Sequence, residues 1–125
     1  MTGFEFVEQP EEYREAAALV VRMPRGIRSK HKLLAVLADK LGFPRYFGWN
    51  WDALYDALTD AVASANGPIV IVHTDLPFGE RSELRPIYVL LLRDVSQRSD
   101  LGGSLKAVFA ARDEAAVRAA TSEPR

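Results

Sequence analysis

Three aspartates recur at intervals of four, Asp52, Asp56 and Asp60, inside the stretch "PRYFGWNWDALYDALTD" that runs from Pro44 to Asp60. The same stretch carries Tyr46, Phe47, Trp49, Trp51 and Tyr55. Carboxylates four apart line one face of a helix. Such a row could work as an acid–base pair, hold a hard cation, dock a cationic partner, or simply keep a helix face solvated. A hard-cation site needs ligands converging from several elements, and only one source is evident. The rest of the chain offers little to complete a catalytic set. There is no cysteine, which excludes disulfides, thiolate metal sites and a thiol nucleophile. His73, two residues before Asp75 at the end of an apolar run, is a weak catalytic signal, and His31 among lysines reads as a solvated surface residue. "PRGIRSKHK" lacks the phosphate-loop spacing, and "LGG" precedes a strand rather than joining a strand to a helix. Charge alone, without the aromatics, reads most simply as a solubilising face.

The aromatics change the balance. They are too many for one helix start to bury, and tyrosine and tryptophan on a surface are typical anchors of protein interfaces. Neighbouring carboxylates repel nucleic acid but attract a basic protein cleft and speed encounter with it. An RNA platform would interleave aromatics with lysine or arginine; here only Arg45 is available. The residue pattern therefore favours an acidic and aromatic docking face, whose carboxylates stand in for phosphate in a basic cleft. A formal net charge of -1 gives no support to bulk nucleic-acid affinity.

These residues need a scaffold. The 125-residue chain suffices for a single domain with a real core. "AAALVVRM", Ala16 to Met23, predicts a buried strand ended by Pro24 and Gly26; the acidic segment before it either frays or adds an edge element. Leu33, Leu34, Leu37 and Leu41 recur at helical spacing after Ser29, a plausible N-cap, and Gly42 and Pro44 end that helix. Gly48 gives the next connection its flexible point, and Asn50 caps a helix from Trp51 whose apolar face holds Leu54, Leu58 and Ala61. "IVIVHT" is a β-branched strand that wants cover on both sides. "DLPFGE" is a loop, "SELRPIYVLLLRDVSQRS" is mostly helix, "LKAVFAA" is a third strand, and the last residues form a weak tail helix that frays. Strands joined by helical crossovers predict an α/β fold, a small three-stranded parallel sheet covered by helices. The N-terminus lacks a signal-peptide pattern, and "YVLLL" is far too short to span a bilayer. The expectation is a cytoplasmic protein with no membrane and no cofactor.

The stretch "FPRYFGWNWDALYDALTD" resembles the central motif of the barstar family of ribonuclease inhibitors. The matching positions are Pro44, Tyr46, Phe47, Gly48, Asn50, Trp51, Asp52, Ala53, Leu54, Tyr55, Asp56 and Leu58, and the order of strands and helices agrees from about Ala16 to Ala110. The resemblance implies a barstar-like domain over residues 1–125 that binds a small basic extracellular-type microbial ribonuclease, or a related toxin, one to one and plugs its active site. It implies no catalysis. By the same resemblance Asp56 is the carboxylate that enters the nuclease's phosphate site and Asp52 lies beside it. Tyr46 packs on the enzyme, Asn50 orders the loop, and Tyr55 stands at the interface edge. Asp60 extends the acidic row, and Asp94 is the matching acidic contact from the following helix. Trp49 and Arg45 occupy positions where the family prototype is acidic, and the alternative to a ribonuclease inhibitor is a non-inhibitory protein–protein interaction module on the same scaffold.

Overall fold

The computed structural model describes residues 3–122; the two first residues and the end of the tail expected to fray lie outside them. Four strands form a single all-parallel sheet: β1 (Phe4–Val7), β2 (Leu19–Met23), β3 (Ile69–His73) and β4 (Leu105–Ala110), in the order β1-β4-β3-β2. The helices are α1 (Lys30–Leu41), α2 (Trp51–Ser64), α3 (Leu84–Ser96) and α4 (Glu114–Ala120). The expected three-stranded sheet is thus corrected to four strands. The additional one is the N-terminal segment "FEFV", which pairs with β4 in the register Phe4↔Ala107 to Val7↔Ala110. Its partner lies at the other end of the chain, so no local pattern could decide between fraying and pairing.

The period-two alternation of the strands sorts their side chains onto two unlike faces. Phe4, Phe6, Val21, Met23, Ile69, Ile71, Leu105, Ala107 and Phe109 point into the main core with side chains from all four helices. Leu33, Leu34 and Leu37 come from α1, Leu54, Leu58 and Val62 from α2, Tyr88, Leu92 and Val95 from α3, and Val117 from α4. The other face is thinner: Val70, Val72 and Val108 are covered by Val7, Tyr13, Ala18 and Val20, from the sheet's own edges and the segment that links β1 to β2.

Capping sets the helix ends. Ser29 Oγ accepts from Lys32 N–H at 3.1 Å, and Gly42, at φ 67°, closes α1 in the left-handed conformation that glycine adopts without steric cost. Asn50 caps α2 through Oδ1, which accepts from Ala53 N–H at 2.7 Å. At its other end α2 lies so close to the start of β4 that a Cβ on Gly103 would collide with the Val62 carbonyl.

The "DLPFGE" loop contributes to the core as well. Phe78 is fully buried at φ 68°, an unfavourable conformation for a bulky residue. Three sets of hydrogen bonds hold it: Phe78 N–H donates to Ile27 O at 2.8 Å, and Arg28 and Arg85 donate to its carbonyl at 3.2 and 2.9 Å. The Phe78 ring meets Trp51 edge-on at 6.4 Å, which pins the first turn of α2 to the ends of the strands.

Candidate functional site

Loop 42–50 and the outer side of α2 form one continuous surface. Phe47 is buried and serves as the loop's anchor, while its N–H closes a turn on Pro44 O at 3.0 Å. From it a chain of rings runs outward: Phe43 on one side at 5.1 Å, Trp49 on the other at 5.3 Å, and His31 of α1 stacked on Trp49 at 4.9 Å with an 18° interplanar angle. The packing leaves Tyr46 out, 88% exposed, and Trp49 partly out at 42%. Gly48 is not the residue that takes the left-handed conformation in this loop; Trp49 does, at φ 58°. The stacked His31 ring and the tilted Phe47 ring against its indole hold it there. Asn50 serves the loop and the helix together, because its Nδ2 donates back to Gly48 O at 3.3 Å while Oδ1 caps α2.

On α2, Leu54, Leu58 and Val62 are buried and Asp52, Asp56 and Asp60 are exposed. At four-residue spacing and 1.5 Å rise the aspartate row is roughly 12 Å long. Asp52 lies in the first turn, where the helix dipole favours a negative charge. Among the described residues no ion pair reaches Asp52, Asp56 or Asp60. Each i,i+4 pair of like charges costs about 0.2–0.5 kcal/mol, a cost that an external cation would relieve. Between the loop and the helix runs a groove of ≈ 410 Å³. Tyr46, Phe43 and Phe47 line one wall, Ala53, Ala57 and Ala61 line the helix side, and Asp56 and Asp60 are on its border.

The structure thus brings Tyr46, Trp49, Asn50, Asp52, Asp56 and Asp60 into one surface. Tyr55 is half-buried against the core: its hydroxyl accepts from Arg98 Nη1 at 2.9 Å, and Arg98 is itself forked onto Asp100 at 2.7 Å through Nε and Nη2. Hydrogen bonding from Arg98 holds the Asp100 carboxyl down to about 2. Asp94 is exposed on α3, 3.9 Å from Arg93, with no hydrogen bond or ion pair joining it to the aspartate row among the described residues. No cluster of three or more His, Cys, Asp or Glu side chains with metal-site geometry occurs among the described residues.

His73 and Asp75 do not form a dyad. His73 is fully buried, and Asp75 instead accepts from Gly26 N–H at 3.0 Å. The His73 ring has a defined tautomer. Its Nδ1 lies 3.1 Å from Val108 O, which can only accept, so Nδ1 carries the proton and Nε2 accepts from the Tyr88 hydroxyl at 2.8 Å. Burial pushes its pKa down to about 4, and burial likewise pushes the Tyr88 hydroxyl up.

A family model described as Barstar (barnase inhibitor) matches residues 17–117. The chain belongs to the barstar family. No curated protein and no solved structure gives a match. Barstar-family proteins are non-catalytic inhibitors that generally bind a small extracellular-type ribonuclease, and they are typically cytoplasmic. The barstar match begins just before β2 and ends on Val117, the buried residue of α4, so β1 and the segment after it, residues 3–16, lie outside the matched stretch. Sequence reasoning missed the groove and the part played by His31 in the loop. Small residues at Ala57 and Ala61, one helical turn apart beneath an aromatic loop, were the signal for the first. The stack of His31 on Trp49 joins residues from separate elements and left no local trace.

Proposed function

We propose that this barstar-family chain, acting as one domain, is an intracellular inhibitor that binds a small basic microbial ribonuclease one to one. Loop 42–50 and the outer face of α2 cover the nuclease's active site. The observation that carries the reading is the row Asp52, Asp56 and Asp60, which is exposed and without ion pairs among the described residues, beside an 88% exposed Tyr46. A catalytic cleft for RNA must be electropositive to hold phosphate, and a rigid row of carboxylates presents the complementary charge. Asp56 enters the phosphate site with Asp52 beside it, and Asp60 extends the contact. Tyr46 and Trp49 supply the aromatic anchors that hot spots favour. Asn50 fixes the loop, Tyr55 borders the contact, and Asp94 adds a negative charge from α3.

The test is titration of the purified protein into a small guanyl-preferring secreted ribonuclease, with RNA cleavage and calorimetric heat followed together. Cleavage should be lost at one equivalent, and the association rate should fall with salt because screening weakens steering between exposed charges. Undiminished cleavage at excess protein, with no heat of binding, would end the inhibitor reading and leave a docking module for some other basic protein.

A further inference from the structure

We propose that Arg28 and Arg85 form a binding site for a phosphate dianion at the carboxyl end of the sheet. No residue of loop 42–50 or of the aspartate row takes part, so the site stands apart from the acidic face.

The two arginines arrive from different elements. Arg28 lies in the connection from β2 to α1, and Arg85 in the first turn of α3. Both donate to one oxygen, the Phe78 carbonyl: Arg28 through Nη1 at 3.2 Å and Arg85 through Nη2 at 2.9 Å. Arg85 Nε also donates to Pro77 O at 3.3 Å. Two permanent positive charges that share an acceptor repel each other, and a single carbonyl dipole does not cancel them. Among the described residues no carboxylate forms an ion pair with either arginine, although Glu80 and Glu83 belong to the same β3–α3 connection as Phe78. Elsewhere the chain pairs such cations: Arg98 is forked onto Asp100, Arg118 meets Glu114, and Lys106 meets Glu5 and Glu15.

Donors are left over. Arg28 Nε and Nη2 and Arg85 Nη1 make no hydrogen bond with a described residue. Arg28 is exposed and Arg85 half-buried, so solvent reaches both. What remains is a pair of guanidinium forks held by the same carbonyl before any ligand arrives, and such preorganisation lowers the ordering cost of binding. A guanidinium matches carboxylate and phosphate oxygens with parallel N–H bonds. Two guanidiniums offer two charges and donors for more than two oxygens. That suits the three acceptor oxygens and near-double charge of a phosphoryl group better than the two oxygens and single charge of a carboxylate.

The surroundings agree. α1 carries Lys30 and Lys32 in its first turn and no acidic residue there, against the preference of the helix dipole for negative charge at this end. Neither lysine has an ion pair among the described residues. A dianion beside Arg28 offsets this gathering of positive charge. The arginine pair also stands on the loops that follow β2 and β3, at the end of the sheet where open α/β folds hold their ligands.

The experiment titrates the full chain with sodium phosphate at constant ionic strength. Proton–nitrogen NMR follows the arginine Nε–H groups and the backbone amides of Arg28, Phe78 and Gly79. Phosphate should give saturable shifts at these groups, sulfate should compete, and acetate at the same concentration should leave them unmoved. Arg28→Gln should weaken phosphate about tenfold, the scale of one charge-assisted hydrogen bond. Arg85 still holds the Phe78 carbonyl in that variant, so the spectrum should keep its native dispersion. Arg28→Lys keeps the charge and loses the fork, and its affinity should fall between the two. Arg112→Gln is the control: Arg112 donates to Thr74 O at the same end of the sheet but is outside the pair, and affinity should not change. Adenosine monophosphate separates the sources of the phosphoryl group. Tighter binding than inorganic phosphate marks a nucleotide site, and equal affinity marks a site for the phosphoryl group alone. Shifts that grow without saturation, equal shifts from acetate, or shifts that survive unchanged in Arg28→Gln would overturn the proposal. Ribonuclease binding is measured separately, and its failure would end the inhibitor reading while leaving this site as it stands.

Discussion

The two sides of this molecule use charge in opposite ways. On the helix side, Asp52, Asp56 and Asp60 are exposed and engage no cation among the described residues. On the far side of the sheet a network of charges is paired within the molecule. Lys106 Nζ lies 2.9 Å from Glu5 and 2.8 Å from Glu15, and the Tyr13 hydroxyl donates to Glu15. Arg22 donates to the carbonyls of Pro10 and Tyr13. Hydrogen bonds from Lys106 and from the Tyr13 hydroxyl hold the Glu15 carboxyl below its usual range. The thin apolar cluster of Val70, Val72 and Val108 explains the arrangement, since a few valines give this face little other cover. Charges paired within the molecule close a surface; charges left without a partner keep one open. The difference goes with stability on the far side and, on the function proposed above, with recognition at α2, and it can be broken from either direction.

The largest effect belongs to a polar group satisfied completely inside the fold. Neutral His73 bridges Val108 and Tyr88. The unfolded chain takes up a proton at this position below about 6.5, while the folded protein resists until about 4. Between those values the unfolded state binds more protons, so stability must rise with pH across the window and fall as the solution is acidified. The loss is on the order of 3 kcal/mol when the window has been crossed. Urea denaturation at a series of pH values should show it in the wild type and not in His73→Gln. Parallel pH profiles for the two proteins would mean that His73 is not held neutral.

Next comes the open side. Asp56→Ala should weaken ribonuclease binding by at least ~2 kcal/mol, the scale that marks interface hot spots, with an unchanged thermal midpoint. That scale counts barnase–barstar among its own examples, so the figure is the family's expectation. A stability loss without a binding loss would make Asp56 a structural residue and erase the contrast between the faces. Asn50→Ala should blur the contrast deliberately. Removing the cap costs about 1 kcal/mol of stability. It also releases the bond to Gly48 O that shapes the loop, so calorimetry and denaturation should both report it.

The two sides were not equally legible in the sequence. The helix side is built from local rules. Leucine spacing in α1 and α2, Ser29 and Asn50 as caps, Gly42 as a stop and the four-residue aspartate spacing all act within a turn or two of helix. The far side depends on pairing across the whole chain: β1 finds β4 about a hundred residues later, Phe4 opposite Ala107, and Lys106 meets Glu5 only after that pairing. Such contacts leave no period in the sequence, and this is why three strands were expected and four are found. The same limit applies within the site. Nothing local to "FGWN" shows that the left-handed residue is Trp49, because His31, which stacks on it, arrives from α1. Nor does the motif show that the Tyr55 hydroxyl meets Arg98, which lies beyond the end of α3.

The smallest predicted effect gives the sharpest test of the division. Glu15→Gln removes one of the two carboxylates on Lys106 and keeps the shape of the side chain. Lys106 and Glu15 are 32% and 29% exposed, and ion pairs that solvent reaches contribute about 0–1 kcal/mol. Denaturation should therefore show a loss within that range, shrinking further in salt as screening replaces the pair. Ribonuclease affinity should not change, because the substitution lies across the sheet from α2, in a segment outside the matched barstar region. Two outcomes would be informative in opposite ways. A larger loss of stability would show that the thin face depends on this network more than its exposure implies, with Tyr13 and Lys106 acting as one unit over the valines. A change in ribonuclease affinity would mean that the far side communicates through β3 and β4 to the helix face, and the division into a closed face and an open one would no longer hold.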